Sequence, residues 1–349
     1  MIARTTIAPA ATTKTDRVST LAAEESVAVV VVNYNAGHFL QECLRAIARQ
    51  TCPPQRIIVV DNASSDESLD GLAAIYPGVE IVPAGGNIGF AAANNLAIRL
   101  AGDCRWVALV NPDAFVESDW LERLLAAARA APECRFFSCQ LVSAGDPRRL
   151  DGTGDVYHVS GRAWRRDSDH LRNQSGAIDE KSSTPTFGAC AAAALYRRDA
   201  LVEVGGFDEN FFCYYEDVDL SFRLQLAGYS GVYVAEAVAR HVGSANTGRH
   251  SDFSVYYGHR NLVWTFVKNM PGPLFWLYLP QHVALNLATV AWFALQGRGR
   301  VILRAKWDAL RGLPRAWRQR RAIQSQRKAS VRQIYALMAR GPLRAFTGR

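Results

Sequence analysis

Three carboxylates, Glu216, Asp217 and Asp219, open an expected helix within Phe211-Phe-Cys-Tyr-Tyr-Glu-Asp-Val-Asp-Leu-Ser-Phe-Arg223. Aromatic residues precede them, and a carboxylate kept from bulk water holds a proton more readily, which suits it to general-base work on a hydroxyl. Asp219 and Arg223 also form an i,i+4 pair that serves helix stability, and acids in a first helical turn complement the helix dipole. A second polar turn, Asn111-Pro112-Asp113, ends an apolar run, and His241 follows the acidic helix after a short strand. His38, His158, His170, His250, His259 and His282 have no metal-ligand spacing to one another. A Gly-x-Ser-x-Gly elbow is absent, which leaves nucleophilic hydrolase chemistry without an anchor.

The elements that must position these groups begin with Val27-Ala-Val-Val-Val-Val-Asn33, an unbroken apolar run suited to a central parallel strand covered on both faces. Further strands are predicted at 56–61, 79–82 and 105–110, separated by helices at about 37–50, 66–76, 89–101 and 117–131. This alternation predicts a doubly wound α/β unit, in which ligands bind beyond the carboxyl ends of the strands. Those ends carry Asn33-Tyr34-Asn35, Asp61-Asn-Ala-Ser-Ser-Asp66 and Asn111-Pro112-Asp113. Turn formation or helix capping accounts for any one of them alone, but three coincide. Gly85-Gly-Asn-Ile-Gly-Phe90 lets the backbone approach a ligand closely and puts Asn87 beside a ribose or phosphate. It is neither a dinucleotide fingerprint nor a P-loop, so hydride transfer and NTPase readings lose their main support.

At 349 residues, with 49% hydrophobic and 21% charged content, the chain can bury one large core or two smaller ones. Its seven cysteines are odd in number and dispersed, without Cys-x-x-Cys, and are expected to be reduced and mostly buried, as in a cytosolic protein. Residues 1–25 lack the continuous apolar run of a signal peptide and are expected to form a flexible leader. Residues 145–185 read as a hairpin and loop whose arginines could grip an anionic acceptor, with no individual arginine singled out.

The net charge of +8 reflects arginines crowded beyond residue 296. Before them, 273–296 carries no full charge and is long enough to cross a bilayer, yet Pro280, Gln281, His282 and Asn286 interrupt it. Arg260 and Lys268 before it and Arg298 and Arg300 after it put basic residues at both ends, so an interfacial or re-entrant segment is the expectation. Trp307, Leu310, Leu313 and Trp317 among arginines fit amphipathic helices on an anionic membrane surface. A recognisable nucleic-acid module is lacking, and no nucleic-acid partner is expected.

Over about 26–270 the sequence resembles the inverting glycosyltransferases of family 2, and particularly the bacterial rhamnosyltransferases of cell-surface polysaccharide assembly. The motifs are Val-Val-Asn-Tyr-Asn at 31–35, Val-Asp-Asn-Ala-Ser-Ser-Asp at 60–66, Gly-Asn-Ile-Gly-Phe-Ala-Ala-Ala-Asn-Asn at 86–95, Asn-Pro-Asp at 111–113, Gly-Gly-Phe-Asp-Glu at 205–209, Tyr-Glu-Asp-Val-Asp-Leu at 215–220 and His241. The resemblance implies a GT-A fold, a doubly wound mixed sheet with a Rossmann-like nucleotide-binding half, followed from 271 to 349 by a helical, membrane-associating region. It implies that Asp61 contacts the pyrimidine base of the donor, that Asn33 and Asn35 line the same pocket, and that Asn87 and Asn111 lie along the donor. Asp113 and His241 would hold Mg²⁺ or Mn²⁺ on the leaving diphosphate; Asn111 stands where the stricter Asp-x-Asp motif has an acid. Asp217 would be the general base, with Glu216 and Asp219 supporting it. The expected reaction is transfer of one sugar, first dTDP-rhamnose and otherwise a UDP-sugar, to a lipid-linked or polysaccharide acceptor at the cytoplasmic face of the membrane. A non-catalytic scaffold of the same fold is the alternative, whereas a processive synthase would carry a Gln-x-x-Arg-Trp motif that is missing.

Overall fold

A computed structural model of the chain describes residues 25–172, 184–243 and 251–341. The first half alternates β1 (Val27–Asn33), α1 (His38–Ala48), β2 (Arg56–Asp61), α2 (Leu72–Ile75), β3 (Val79–Pro83), α3 (Gly89–Leu100), β4 (Trp106–Val110), β5 (Ala114–Val116) and α4 (Trp120–Ala130). The second half runs through β6 (Cys134–Ser143), β7 (Leu150–Gly152), β8 (Asp155–Tyr157), β9 (Ala163–Arg165), β10 (Thr184–Thr186), β11 (Ala193–Arg197), α5 (Arg198–Glu203), α6 (Glu216–Leu226) and β12 (Ser230–His241). The chain then becomes helical: α7 (Asp252–Asn269), α8 (Gly272–Leu295), α9 (Gly299–Arg311), α10 (Leu313–Ser325) and α11 (Val331–Leu337).

One mixed sheet has the order β10-β12-β6-β11-β4-β1-β2-β3. Strands β1 to β4 pair in parallel, whereas β11 runs antiparallel to both β4 and β6. Side chains alternate across a strand, so both faces of β1 must be covered. Val27, Val29 and Val31 enter one core with residues of α1 and α4; Ala28, Val30 and Val32 enter a second with residues of α3, α5 and α6. The apolar run at 27–33 is buried at every position for this reason.

The expected helix at 66–76 is instead a 3-10 turn, Glu67–Leu69, followed by the short α2. Gly71, at φ +66°, breaks it, and Asp66 is committed to accepting hydrogen bonds from the amides of Ser68 (3.3 Å) and Gly37 (2.7 Å). The hairpin expected within 145–185 is formed by β8 and β9, while residues 173–183 of that stretch lie outside the described residues.

A third core joins β8, α6, α7, α8 and α10 through Tyr157, Phe222, Trp264, Phe275 and Ala316. It is held by a buried charge cluster: Lys268 Nζ lies 2.5 Å from Asp208 Oδ2 and 2.9 Å from Asp219 Oδ1, and Arg223 Nε donates to Asp219 Oδ2 at 2.8 Å. Lys268 and Arg260 were expected as basic flanks of the apolar segment; both are instead buried in this interior. Among the described residues, no helix is long and apolar enough to cross a membrane. Replacing Lys268 with Met leaves two buried carboxylates short of a cation, and removing one partner of a buried ion pair costs about 3–5 kcal/mol. Urea unfolding of K268M should show a loss of that size; an unchanged midpoint would mean that the cluster does not hold α7 to α6.

Candidate active site

The carboxyl ends of β1, β2 and β4, the end of β12 and the start of α6 surround a cavity of about 800 Å³. Six of the residues singled out in the sequence line it: Asn87, Asn111, Asp113, Glu216, Asp217 and His241. Asn33, Asn35, Asp61 and Asp219 do not.

The first three of these exceptions brace the strand ends. Asn33 faces Asp61 across the β1–β2 pairing, and its side-chain amide reaches Asp61 Oδ1 (3.1 Å), Ser64 Oγ (2.9 Å) and Ser68 Oγ (2.8 Å). Asn35 donates its backbone N–H to Ser64 Oγ and accepts from the Ser65 amide. Successive residues of an extended chain point opposite ways, and it is Asn62, not Asp61, that lines the cavity. Asn62 accepts from the Ile88 amide (2.9 Å) and donates to Asn87 Oδ1 (3.0 Å), fixing the glycine-rich loop at the cavity wall. Asp219 is fully buried and spent on Lys268, Arg223 and Asn269, so its part is structural.

The buried carboxylates of Asp155 and Glu216 and the half-buried one of Asp217 lie on the same cavity, with Arg165 among them. Burial pushes all three toward the neutral acid, and for Asp155 and Glu216 the nearby charge of Asp217 adds to it, placing both well above the usual carboxylate range. Asp217 is raised less clearly because it is better solvated by the protein: Oδ2 accepts from the Ala191 amide at 3.3 Å and Oδ1 from the Val218 amide at 2.8 Å. Among the described residues, Asp155 Oδ2 and Glu216 Oε2 have no hydrogen-bond partner. Asp217 is therefore the member of the group best placed to carry charge, with a raised proton affinity.

In the same cavity His241 Nε2 stands 3.4 Å from Asp113 Oδ1, and His241 Nδ1 is 2.7 Å from Asp151 Oδ2. Arg165 completes the chain by pairing with Asp151. Burial alone would lower the His241 pKa, but hydrogen bonds to Asp113 and Asp151 outweigh it and raise the value; the same contact outweighs burial at Asp113 and lowers its pKa. Pairing of β12 with β5, His241 opposite Ala114, sets the histidine beside the Asn111–Asp113 turn. Among the described residues, no three His, Cys, Asp or Glu side chains converge to hold an ion unaided. Asp151, Asp155 and Arg165 were not singled out in the sequence; the polar, arginine-rich hairpin stretch is the one signal that pointed toward them.

The segment entering α6 is held in a costly backbone conformation. Phe212, Tyr214 and Tyr215 all have φ +66°, where side chains other than glycine are strained by about 1–3 kcal/mol each. The side-chain amide of Asn261 on α7 donates to the carbonyls of Phe211 (3.0 Å), Cys213 (3.0 Å) and Tyr214 (2.7 Å), and Arg260 Nη2 donates to those of Asn210 and Phe211. Asn261→Ala should lower stability by about 1–3 kcal/mol, the cost of stranded buried carbonyls, and reduce turnover by displacing Asp217. Thermal unfolding and initial-rate measurements check this, and turnover unchanged in a destabilised protein would show that the clamp does not position the carboxylate.

Comparison with known proteins agrees with this architecture. The N-acetylglucosaminyl-diphospho-decaprenol L-rhamnosyltransferase of Mycobacterium tuberculosis is 32% identical over 239 residues, 63% of this chain and 77% of that protein. The O-antigen chain rhamnosyltransferase RfbN of Salmonella typhimurium is 28% identical over 234 residues, 66% of this chain and 70% of that one. Among solved structures, GalNAc-T7 with UDP, GalNAc and Mn²⁺ matches 70% of this chain with a TM-score of 0.54 at 15% identity. The chain spans 48% of that protein, and at this identity the likeness concerns the GT-A fold alone. The family model for glycosyl transferase family 2 matches residues 28–205, and with strand ends, loop and base helix disposed as described, this chain belongs to that family and is a glycosyltransferase of the bacterial rhamnosyltransferase-like kind.

Proposed function

We propose that the protein is a metal-dependent, inverting glycosyltransferase that moves a single sugar from a nucleotide donor to a hydroxyl of a lipid-linked glycan. The observation that carries this reading is one cavity lined by Asp217 and by the paired Asp113 and His241. Rhamnose from dTDP-rhamnose is the first choice of donor, supported by the names of both relatives; a UDP-sugar is the second.

The two candidate metal ligands fit a divalent cation. Ligand atoms about 2.1 Å from an ion and at right angles to each other lie about 3 Å apart, close to the 3.4 Å between Asp113 Oδ1 and His241 Nε2. Mg²⁺ and its like are commonly bound by one or two protein groups plus substrate phosphates, which suits a site with two ligands. Asp151 on Nδ1 orients the imidazole and fixes which nitrogen faces Asp113. The ion, when bound, would stabilise negative charge developing on the leaving diphosphate.

Asp217 takes the proton of the acceptor hydroxyl as that oxygen bonds to the anomeric carbon. The bond from that carbon to the diphosphate oxygen breaks, its electron pair leaves with the nucleoside diphosphate, and attack from the opposite face inverts the configuration. Burial and the charge of Asp217 raise the proton affinity of Asp155 and Glu216 further than that of Asp217, which favours Asp217 as the base. Because a base must be deprotonated, turnover should rise with pH through a midpoint above the ordinary aspartate value. Asp217→Asn should abolish transfer while calorimetric binding of the nucleotide sugar with Mn²⁺ persists; Asp113→Asn should instead weaken that binding. Retained turnover in D217N would remove Asp217 from its role.

We also place the enzyme on an anionic membrane surface. Support comes from exposed apolar side chains on α8 (Trp276, Leu277, Val283, Leu287, Leu295) and on α9 (Leu303, Trp307, Leu310), with exposed Arg300, Arg304 and Arg311 on α9 and Arg318 on α10. The full chain should sediment with phosphatidylglycerol vesicles and lose that binding in Trp307→Ser combined with Leu287→Ser. Absence of binding to anionic vesicles would sink this placement.

A further inference from the structure

The hairpin of β8 and β9 carries two residues of the active-site cavity, Asp155 and Arg165, which stand opposite each other across its strands. It forms a two-stranded sheet separate from the main one, and a two-stranded hairpin is marginal in water without outside support. At its open end the Asp155 amide donates to the Gly188 carbonyl at 2.9 Å. The turn at 158–162 is held by the C-terminal region. There the Val159 amide donates to the Ala339 carbonyl (3.1 Å), the Ala339 amide to the Tyr157 carbonyl (2.9 Å), and His158 Nε2 to the Gly341 carbonyl (3.2 Å).

His282 of α8, one of the polar residues that interrupt the apolar segment 273–296, supplies a side-chain anchor for the same turn: its Nδ1 lies 2.8 Å from the Ser160 carbonyl. A carbonyl oxygen only accepts, so Nδ1 carries the hydrogen. Burial pushes the pKa of the ring down to about 4, which leaves it a neutral donor at pH 7. The imidazole is stacked on Phe266 of α7, with centroids 3.9 Å apart, and a Cβ at Gly161 would come within 2.7 Å of Nδ1, so the turn sits directly on the ring. From the turn the hairpin returns to the base helix, where the Ala163 amide donates to the Tyr215 hydroxyl at 3.0 Å, two residues before Asp217.

We infer that His282 is a positioning residue for the transfer reaction: its N–H fixes the hairpin turn and so holds Asp155 and Arg165 in the cavity with Asp217. The inference rests on the proposed role of Asp217 and adds a residue outside the cavity on which that role depends. Asp151 and His241 belong to strands of the main sheet, so donor binding is not expected to follow the hairpin.

The test compares three full-length variants. His282→Phe keeps a ring against Phe266 without an N–H, His282→Leu has neither, and His282→Asn places an amide N–H two bonds beyond Cβ, where Nδ1 stands. Release of dTDP from dTDP-rhamnose with Mn²⁺ is followed, water standing in for the acceptor hydroxyl, alongside calorimetric binding of dTDP. The Phe and Leu variants should lose about ten-fold in kcat with KM and dTDP affinity unchanged, and the Asn variant should recover the wild-type kcat. Backbone amides of 156–165 should exchange with deuterium faster in the first two and at the wild-type rate in the third. Wild-type kcat in H282F and H282L, unchanged exchange in the hairpin, or a loss in H282N as large as in H282L would overturn the inference. Loss of dTDP binding in both H282F and H282L would also overturn it, since His282 would then serve the fold as a whole. If the wild type neither bound dTDP nor released it from dTDP-rhamnose, the donor proposed above would be at fault, and the exchange rates would still decide the role of His282.

Discussion

Crowding four carboxylates, three of them buried and Asp217 half-buried, around the first turn of one helix is the constraint on which the rest of this structure depends. Ions removed from water are costly unless paired, or unless they take up a proton. Each acid here meets that demand differently. Asp219 is neutralised by Lys268 and Arg223, which makes it a fastener between α6 and α7. Asp217 is held by two backbone amides, while Asp155 and Glu216 are driven toward the protonated form. Three chemically similar residues on one cavity are thereby pushed to different proton affinities, which suits one of them to act as a general base.

The fixed position of that helix then accounts for the elements around it. Three residues in left-handed backbone conformation turn the chain into α6, and they persist because Asn261 and Arg260 satisfy the carbonyls that the turn exposes. Those two residues lie on α7, whose own burial depends on α10, where Arg320 donates to the carbonyls of Val267 and Met270. The helical C-terminal region thus reaches the active site through a chain of hydrogen bonds, and the same helices present apolar side chains on their outer faces.

Much of the nucleotide-fold half was legible in the sequence because its signal is local. A seven-residue apolar run is buried on both faces only at the centre of a covered sheet, and polar residues at three strand ends mark where the cavity opens. Pairings distant in the chain were not legible. His241 meets Asp151 across 90 residues and Asn261 meets Tyr214 across 47, and no spacing rule anticipates either contact. Charge alone also misled: Lys268 and Arg260 read as membrane flanks when taken with the apolar segment beside them, but their partners Asp208, Asp219 and the Phe211 carbonyl make them interior residues. Asp61, whose motif position suggests a ligand contact, accepts from Asn33 on β1 and from the Ser64 amide, contacts that its place in the sequence did not announce.

In the proposed chemistry, groups lining one cavity act on the same bond, Asp113 and His241 toward the diphosphate and Asp217 toward the acceptor oxygen. Anomalous diffraction from crystals grown with Mn²⁺ and a nucleotide sugar tests this most directly. The account predicts a manganese peak in contact with both Asp113 and His241, with the diphosphate on that ion and the anomeric carbon open toward Asp217. An ordered nucleotide sugar whose anomeric carbon faces away from Asp217, or a manganese peak away from Asp113 and His241, would contradict it.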